Sequence, residues 1–560
     1  MSRIIVVGGL SAGPSAAAKA RRENEDAEII LFEKGANISY ATCGIPYALS
    51  GVIEHRKKLL VVKPDLMRER FNIDVRLEEE VVDVDVNNKV VITSKGEYSY
   101  DKLVFATGAK SFVPPIKNLD KTENWSTCRS LKDYDKIMKE VMDDEAEHVT
   151  VLGAGLIGVE VAENLIEAGK EVTLIEGSDQ ILPMWDPKFS YFAKSVLEEK
   201  GIEVITSTFV KEMGTWGDQI DKVYIDEDRF VETDFVIMSV GIRPNTDLLV
   251  KNGAEHIGNG ALIVNEKMET TLPDVYAAGD NVAVKNLQTG AHDYFPLGTH
   301  SNKGGRAAGG NAAGADLTFK GAYKTAIVKV FEYTMARTGL NAKGLKDAGI
   351  PFKKSLSIAG ATPGYYPGKK EMITEIYYHP DTHKILGAEI FGETGVDKRI
   401  DVLSTAIYAG LKVTDLPHLD LAYAPPFSPA KDPVVVAGFV TENILEDKCA
   451  QMDINEFEAY MQQRDREEYN LLDVRTIREF DRGFIPGAVN IPLHDLRERI
   501  SEIDPEKPLI LYCQKGLRGY LARLILKQNG ISKIVSIPGG FKLWEMMGKK
   551  VAVPELVGVE

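Results

Sequence analysis

Val149-Thr150-Val151-Leu152-Gly153-Ala154-Gly155-Leu156-Ile157-Gly158 is an apolar run that breaks into glycines spaced G-x-G-x-x-G. Val159-Glu160-Val161-Ala162 continues it as a helix, and Val172-Thr173-Leu174-Ile175 is a second strand ending in Glu176. Strand, tight glycine turn and helix put a pyrophosphate on a helix N-terminus, where unpaired N–H groups and the helix dipole favour negative charge. The acid after the second strand suits a ribose 2′-hydroxyl and repels a 2′-phosphate. Gly177 and Ser178 follow it where an arginine would serve NADPH. The expectation is a Rossmann-like α/β domain that takes NADH.

A second copy of this pattern opens the chain. Residues 3–7 form an apolar run ending at Gly8-Gly9-Leu10-Ser11-Ala12-Gly13, the Ala-rich residues 14–22 read as a helix, and residues 28–32 are the next strand, closed by Glu33. Leu10 stands where the middle glycine of the fingerprint belongs. Residues 101–109, with Val104-Phe105-Ala106-Thr107-Gly108, are a strand ending in a small-residue turn. Ser239-Val240-Gly241-Ile242-Arg243-Pro244-Asn245 reads as a return crossover between domains, and Val275-Tyr276-Ala277-Ala278-Gly279-Asp280 as a strand ending in an acid suited to a ribityl hydroxyl. Two such units suggest two dinucleotides, FAD and NADH.

Between them lies Ser39-Tyr40-Ala41-Thr42-Cys43-Gly44-Ile45-Pro46-Tyr47. Pro46 suits the first turn of a helix, and a cysteine just ahead of a helix N-terminus sits in positive potential that favours thiolate. Ser15, Lys19 and Arg22 are spaced i, i+4, i+7 and share one helix face, which is either a solvated face or a phosphate-binding one.

Composition narrows the classes. The 560 residues suffice for about three to five domains. A net charge of −16 argues against nucleic acid or an anionic membrane as partner. Four cysteines without regular spacing make no disulfide framework, so a reducing compartment is expected. The N-terminus enters a buried strand at once, with no room for a signal peptide, and no apolar run reaches the roughly 18 residues of a membrane span. The expected location is cytoplasmic.

With these motifs in place, residues 1 to about 446 resemble the pyridine nucleotide-disulfide oxidoreductase family of flavoproteins. The resemblance implies an FAD-binding domain (1–112 and 250–323), an NADH-binding domain (113–249) and an α+β dimerisation domain (324–446) of a homodimer. It assigns Gly8, Gly13, Glu33 and Asp280 to FAD, Gly153, Gly155, Gly158 and Glu176 to NADH, and Lys34, Ala106, Thr107, Gly108 and Gly241 to the cofactor sites as well. Cys43 has no near cysteine partner, unlike the branch with an internal disulfide. The oxygen-using branch carries a histidine in the first glycine loop, where this chain has Ser11. The surroundings of Cys43 are similar to the coenzyme A disulfide reductase branch, with Tyr40 for the usual Phe and Thr42 for the usual Asn. That branch binds coenzyme A beside the cysteine, and the likeness points to Ser15, Lys19, Arg22, Ser39, Thr42, His300, Asn302, Arg306 and Phe427 as its contacts. It also implies that a tyrosine in the proline-rich loop Leu421-Ala422-Tyr423-Ala424-Pro425-Pro426-Phe427-Ser428-Pro429 and another in a Gly-Tyr turn assist the leaving thiolate across the dimer. These map to Tyr423 and to Tyr365, with Tyr366 as the neighbour that competes for the role.

Residues 441–455 are polar and acidic and read as a connector. Beyond it, Leu471-Leu472-Asp473-Val474-Arg475 is a strand, and Leu509-Ile510-Leu511-Tyr512 is another that ends at Cys513-Gln514-Lys515-Gly516-Leu517-Arg518, followed by a helix over 519–528. Successive N–H groups in such a loop make an anion nest, closed by Arg518, that eases ionisation of Cys513 and stabilises a persulfide. Residues 453–560 resemble a rhodanese domain. The whole likeness implies an NADH-dependent flavoenzyme that reduces coenzyme A persulfide, polysulfide or coenzyme A disulfide through a Cys43–coenzyme A mixed disulfide, Cys513 handling sulfane sulfur. Two other readings stay open: an NADH oxidase, and a redox-sensing flavoprotein whose rhodanese domain docks a partner. No metal is expected.

Overall fold

The computed structural model describes residues 2–143 and 146–554; absences and counts stated for it are those among these residues. Of the expected domains, residues 1, 144, 145 and 555–560 lie outside the described residues. The chain divides into two compact units, 1–183 with 196–324, and 184–195 with 325–560.

The first unit contains two five-stranded parallel sheets. In one the order is Val275–Ala277, Lys102–Phe105, Arg3–Val7, Glu28–Phe32, Asp74–Arg76; in the other it is Glu203–Ile205, Glu171–Ile175, His148–Leu152, Phe235–Met238, Trp125–Thr127. Both put the strand that feeds a glycine loop at the centre, so that loop leaves the sheet's carboxyl edge, where ligands of open α/β sheets bind. Ile4, Ile5, Val6, Val149, Val151 and Leu174 are fully or nearly fully buried, as expected for parallel strands covered on both faces. The return crossover is a short antiparallel ribbon, Ile242–Pro244 pairing with Ala109–Ser111.

Helix Gly298–Ala312 carries four interior glycines at 304, 305, 309 and 310, each costing about 1 kcal/mol against alanine in helix propensity. Packing explains two of them. A Cβ on Gly305 would stand 2.4 Å from Ala12 O, and one on Gly309 would stand 2.0 Å from Ala16 O. Helix Ala12–Glu23 answers with alanines, so the two backbones touch, and the polar residues of both helices are brought onto one surface.

The second unit holds a five-stranded antiparallel sheet, Ala326–Val330, Tyr333–Gly339, Ile385–Gly392, Glu371–Tyr378, Lys353–Gly360, packed by helices Val396–Tyr408 and Pro433–Leu445. It also holds a four-stranded parallel sheet, Val489–Asn490, Asn470–Asp473, Leu509–Tyr512, Ile534–Ser536. Beneath the antiparallel sheet lies a buried ionic network. Lys188 Nζ donates to both oxygens of Glu375 at 2.6 Å, and Tyr377 OH reaches Glu375 at 2.8 Å and Glu389 at 3.0 Å. The carboxylates of Asp186, Glu375 and Glu389 converge as a metal set would, but the Lys188 ammonium already serves there as the cation. Burial pushes Glu389 up to about 7, with Arg337 pulling the other way.

The stretch expected as a polar connector differs. Helix Pro433–Leu445 runs through its first residues, and Thr441 is fully buried, back-bonded to Ala437 O and paired with Ser355 Oγ at 2.7 Å. The segment beyond this helix is pinned at both sides. The Gln451 amide accepts from Leu356 N–H at 3.0 Å and donates to Leu356 O at 2.9 Å, covering the open edge of the antiparallel sheet. Its backbone forms a parallel bridge to Ser536, at the edge of the other sheet. Polar composition here marks hydrogen-bonding work between two sheet edges, which reads in sequence like a solvated linker.

Candidate active site

The two glycine loops of the first unit are near replicas in backbone terms. Gly8 has φ +104° and Gly153 φ +96°, and a Cβ on either would collide with a carbonyl, Ala106 O at 2.2 Å or Ser239 O at 2.5 Å. A Cβ on Gly13 would meet Gly8 O at 1.8 Å, and one on Gly158 would meet Gly153 O at 1.8 Å. The acids match too. Glu33 accepts from Gly9 N–H and Gly35 N–H, both at 2.7 Å, while Glu176 accepts from Ala154 N–H at 2.7 Å and Ser178 N–H at 2.8 Å. The difference is the middle position: nothing lies within 4 Å of a Cβ placed on Gly155, whereas Leu10 fills the equivalent place in the first loop.

These features fit dinucleotides. Gly108 (φ +63°) turns the chain at the end of strand Lys102–Phe105, Ala106 N–H donates to Val7 O at 2.8 Å, and Thr107 Oγ1 donates to Asn245 O at 2.6 Å. Asp280 pairs with Arg129 at 2.8 Å, and next to it Asn281 is fully buried with its Oδ1 lacking a partner, a polar atom free for a ligand. Gly241 (φ +112°) turns the chain into the return ribbon. Lys34 is exposed, 3.9 Å from Glu80.

Cys43 is exposed on a one-turn 3-10 helix, Thr42–Gly44, that runs into helix Ile45–Leu49 with Pro46 in its first turn. That helix is only five residues long, so its dipole is small and its main effect is to hold the loop. Ser39, at φ +46°, donates its N–H to Gly9 O and accepts from Val61 N–H, both at 2.8 Å, tying the cysteine loop to the first glycine loop. Gly44 is needed for packing, since a Cβ there would meet Leu59 at 2.9 Å. Two groups near Cys43 had no motif to announce them. Tyr47 OH donates to Glu160 at 3.1 Å, and burial pushes Glu160 up to about 7. Burial, then Glu160, pushes the Tyr47 phenol up in turn. Cys128 and Cys449 are buried thiols pushed up by burial, which suits packing roles.

The helix pair brings several expected contacts together. Ser15 Oγ bonds Asn302 at 2.7 Å; Lys19 lies close to Arg306 and Arg22, and desolvation followed by these two guanidiniums pushes its ammonium down. Lys19 also pairs with Glu23. His300 is half-buried between Phe295 and Phe319, its Nδ1 3.4 Å from Phe295 O, and burial lowers its basicity.

In the second unit, Tyr365 and Tyr423 are exposed with their hydroxyls 3.2 Å apart, while Tyr366 has only its backbone N–H bonded to Pro363 O. Arg399, which sequence reasoning passed over, organises this pair. It is buried, chelates Asp432 at 2.9 Å, and donates to Ala361 O at 3.3 Å and Phe427 O at 3.2 Å, so it holds the roots of both tyrosine loops. Phe427 itself is 70% exposed.

Cys513 is buried at the floor of its loop and accepts the Gly516 N–H at 3.1 Å. Gly540 lets a neighbouring turn close on it, since a Cβ there would sit 2.0 Å from Cys513 O. Arg518 makes two 2.6 Å bonds to Glu479, whose carboxyl is held down to about 2 chiefly by that guanidinium. Arg475 of the Asp-Val-Arg motif is a buried strut, paired with Asp473 at 2.7 Å and stacked 3.9 Å from the Phe541 centroid.

A family profile described as pyridine nucleotide-disulphide oxidoreductase matches residues 2–294, its dimerisation-domain profile residues 325–433, and a rhodanese-like domain profile residues 456–547. The chain is 34% identical over 441 residues to a protein of Methanocaldococcus jannaschii named NADH oxidase, covering 78% of this chain and 97% of that one. The solved structure of reduced Bacillus anthracis CoADR-RHD is similar with TM-score 0.93 and 37% identity over 98% of each chain. A structure of a NAD-dependent persulfide reductase from A. fulgidus is similar with TM-score 0.90 and 34% identity, over 97% of this chain and 100% of that one.

Proposed function

The chain belongs to the pyridine nucleotide-disulphide oxidoreductase family, and from that premise we propose that it is a homodimeric FAD-dependent NADH oxidoreductase that reduces sulfur–sulfur bonds of coenzyme A persulfide, polysulfide or coenzyme A disulfide. The observation that carries this reading is the exposed, solitary Cys43, whose loop is bonded to the first glycine loop. A lone redox cysteine has to pair with something other than a neighbouring cysteine, either oxygen as a sulfenic acid or an outside sulfur as a mixed disulfide.

Gly8, Gly13, Glu33 and Asp280 would hold FAD, which would supply the two-electron chemistry between NADH and the disulfide. Ser15, Lys19, Arg22, Asn302 and Arg306 hold the phosphates of coenzyme A. The Cys43 thiolate attacks the inner sulfur of coenzyme A persulfide, the S–S bond breaks, hydrosulfide leaves, and a Cys43–coenzyme A disulfide forms. Two electrons then split that bond into the Cys43 thiolate and free coenzyme A. With coenzyme A disulfide as substrate, coenzyme A leaves instead. The Tyr365–Tyr423 hydroxyl pair of one subunit protonates the thiolate leaving from Cys43 of the other. Cys513 takes sulfane sulfur from a donor and passes it to coenzyme A.

The test is anaerobic NADH oxidation with coenzyme A persulfide and coenzyme A disulfide side by side. Faster turnover of the persulfide with hydrosulfide release, abolished in Cys43→Ser, is expected. Slow turnover of both, unchanged in Cys43→Ser, would sink the reading. The name of the M. jannaschii relative favours a second reading, NADH oxidase. Against it stands Ser11, at the place in the first glycine loop where the resemblance to the oxygen-using branch implies a histidine. Rapid oxygen consumption without any sulfur substrate would restore it.

A further inference from the structure

Three lysines meet beside the Cys513 loop, and only one carboxylate faces them. Lys515 lies in the loop itself, two residues after Cys513, and Lys542 sits on the helix Gly540–Met546, its backbone N–H donating to Gln514 O at 3.0 Å. Lys369 comes from the connection between strands Lys353–Gly360 and Glu371–Tyr378, the segment that carries Tyr365. All three converge on Glu371: Lys515 on one oxygen, Lys542 on the other at 2.5 Å, Lys369 at 3.6 Å.

Among the described residues no second carboxylate pairs with any of these lysines, so three positive charges against one negative leave a formal surplus of two. Glu371 is mostly buried. Burial alone would raise its carboxyl, yet the hydrogen bonds from Lys515 and Lys542 win and hold it at about 2, so it stays ionised as the hub. The lysine side chains remain 47%, 36% and 32% exposed, and each ammonium keeps donors free for a ligand. Arg518 adds nothing to this surplus, because Glu479 neutralises it.

A cluster with this charge, held together by one part-buried carboxylate next to a sulfur-carrying loop, is built for an anion. We propose that Lys369, Lys515 and Lys542 form a phosphate subsite that holds the phosphorylated end of an acceptor thiol, coenzyme A in the proposed function, while its sulfur exchanges with Cys513. The inference rests on the reading of Cys513 given there. In the transfer step the acceptor thiolate attacks the outer sulfur of a Cys513 persulfide. The S–S bond breaks, its electron pair stays on Cys513 Sγ, and the acceptor leaves as its own persulfide. Glu371 is a positioning residue that keeps the ammonium groups together.

The full-length Cys43→Ser protein, loaded with sulfane sulfur and desalted, is mixed anaerobically without NADH with coenzyme A, dephospho-coenzyme A or pantetheine. Single-turnover transfer is followed by persulfide trapping. Lys369→Gln and Lys542→Gln should each raise the half-saturating coenzyme A concentration about threefold to tenfold, while pantetheine, which has no phosphate, responds as before. Lys369→Arg and Lys542→Arg should restore coenzyme A affinity. The dephospho-coenzyme A arm separates the 3′-phosphate from the pyrophosphate as the bound group. No change with coenzyme A, or an equal change with pantetheine, overturns the subsite and leaves the role of Cys513 standing. Absence of transfer to any acceptor overturns that role and the subsite with it.

Discussion

Cys43 and Cys513 sit at the ends of two opposite strategies for holding a reactive sulfur. Cys43 is exposed, on a single 3-10 turn, and its loop is held by backbone bonds through Ser39 and by apolar packing around Gly44. Cys513 is buried, receives a loop N–H, and is ringed by ion pairs: Arg518 with Glu479, Lys515 and Lys542 with Glu371, Arg475 with Asp473. An open thiol accepts a bulky partner and forms a mixed disulfide. A buried one in a donor-lined loop suits a small sulfur cargo of one atom. In the proposed function, that contrast separates a site of redox exchange from a site of group transfer.

The largest effects test that separation directly. Cys43→Ser should cut NADH-dependent reduction of coenzyme A disulfide by at least ~10³-fold, because the nucleophile is gone. Cys513→Ser should leave that rate within about twofold and abolish sulfur transfer from a donor to coenzyme A. Comparable losses in both assays for both variants would collapse the distinction. Next, Tyr365→Phe and Tyr423→Phe should each lower reduction at Cys43 by about 10- to 100-fold, and the double variant should lose little more than either single, since the two hydroxyls share one bond. Glu479→Gln frees Arg518 and should alter only the transfer assay, by about tenfold.

The smaller effects concern pH. Glu389, buried with a pKa of about 7, is protonated in the fold above the pH at which an unfolded glutamate ionises. Its contribution to stability is therefore full below about pH 4.5 and is lost as pH rises through about 7. Glu389→Gln should flatten that slope, gaining about 1–3 kcal/mol relative to the parent at pH 8, as read by denaturant melts at pH 5 and pH 8. Glu160→Gln, at the carboxylate that accepts from Tyr47 OH in the helix after Cys43, should remove a break near pH 7 from the pH–rate profile of disulfide reduction and leave sulfur transfer at Cys513 unmoved.

Both sheets of the first unit were legible because their signals are local: an apolar run, glycines at fixed offsets, and an acid about 20 residues on. The Cys-x4-Arg loop was legible for the same reason. The hidden features are long-range. Arg399 lies 28 residues from Phe427 and 38 from Ala361, and nothing in its helix marks it as the residue that roots both tyrosine loops. Glu371 follows a pair of lysines and reads as an ordinary charged turn, yet its partners lie 144 and 171 residues away. The choice between Tyr365 and Tyr366 is beyond a sequence pattern, because adjacency gives both the same context. The structure puts the hydroxyl of Tyr365, 3.2 Å from that of Tyr423, into a pair that no sequence pattern announces. The polar stretch after 441 misled for a related reason, since a threonine that back-bonds in a helix and a glutamine that mimics a strand look solvated until their partners are seen.

That glutamine has a consequence for how such a chain is assembled by recombination. Gln451 pairs with one sheet edge through its side chain and with another through its backbone, and Asp453, two residues on, is gripped by Lys354 at 2.6 Å. The carboxy-terminal domain is thus joined by bonded side chains and backbone rather than by a free tether. A shuffled substitute domain that did not bring its own Gln451 and Asp453 would leave an uncapped strand edge and a lysine with only the more distant Glu375 as partner.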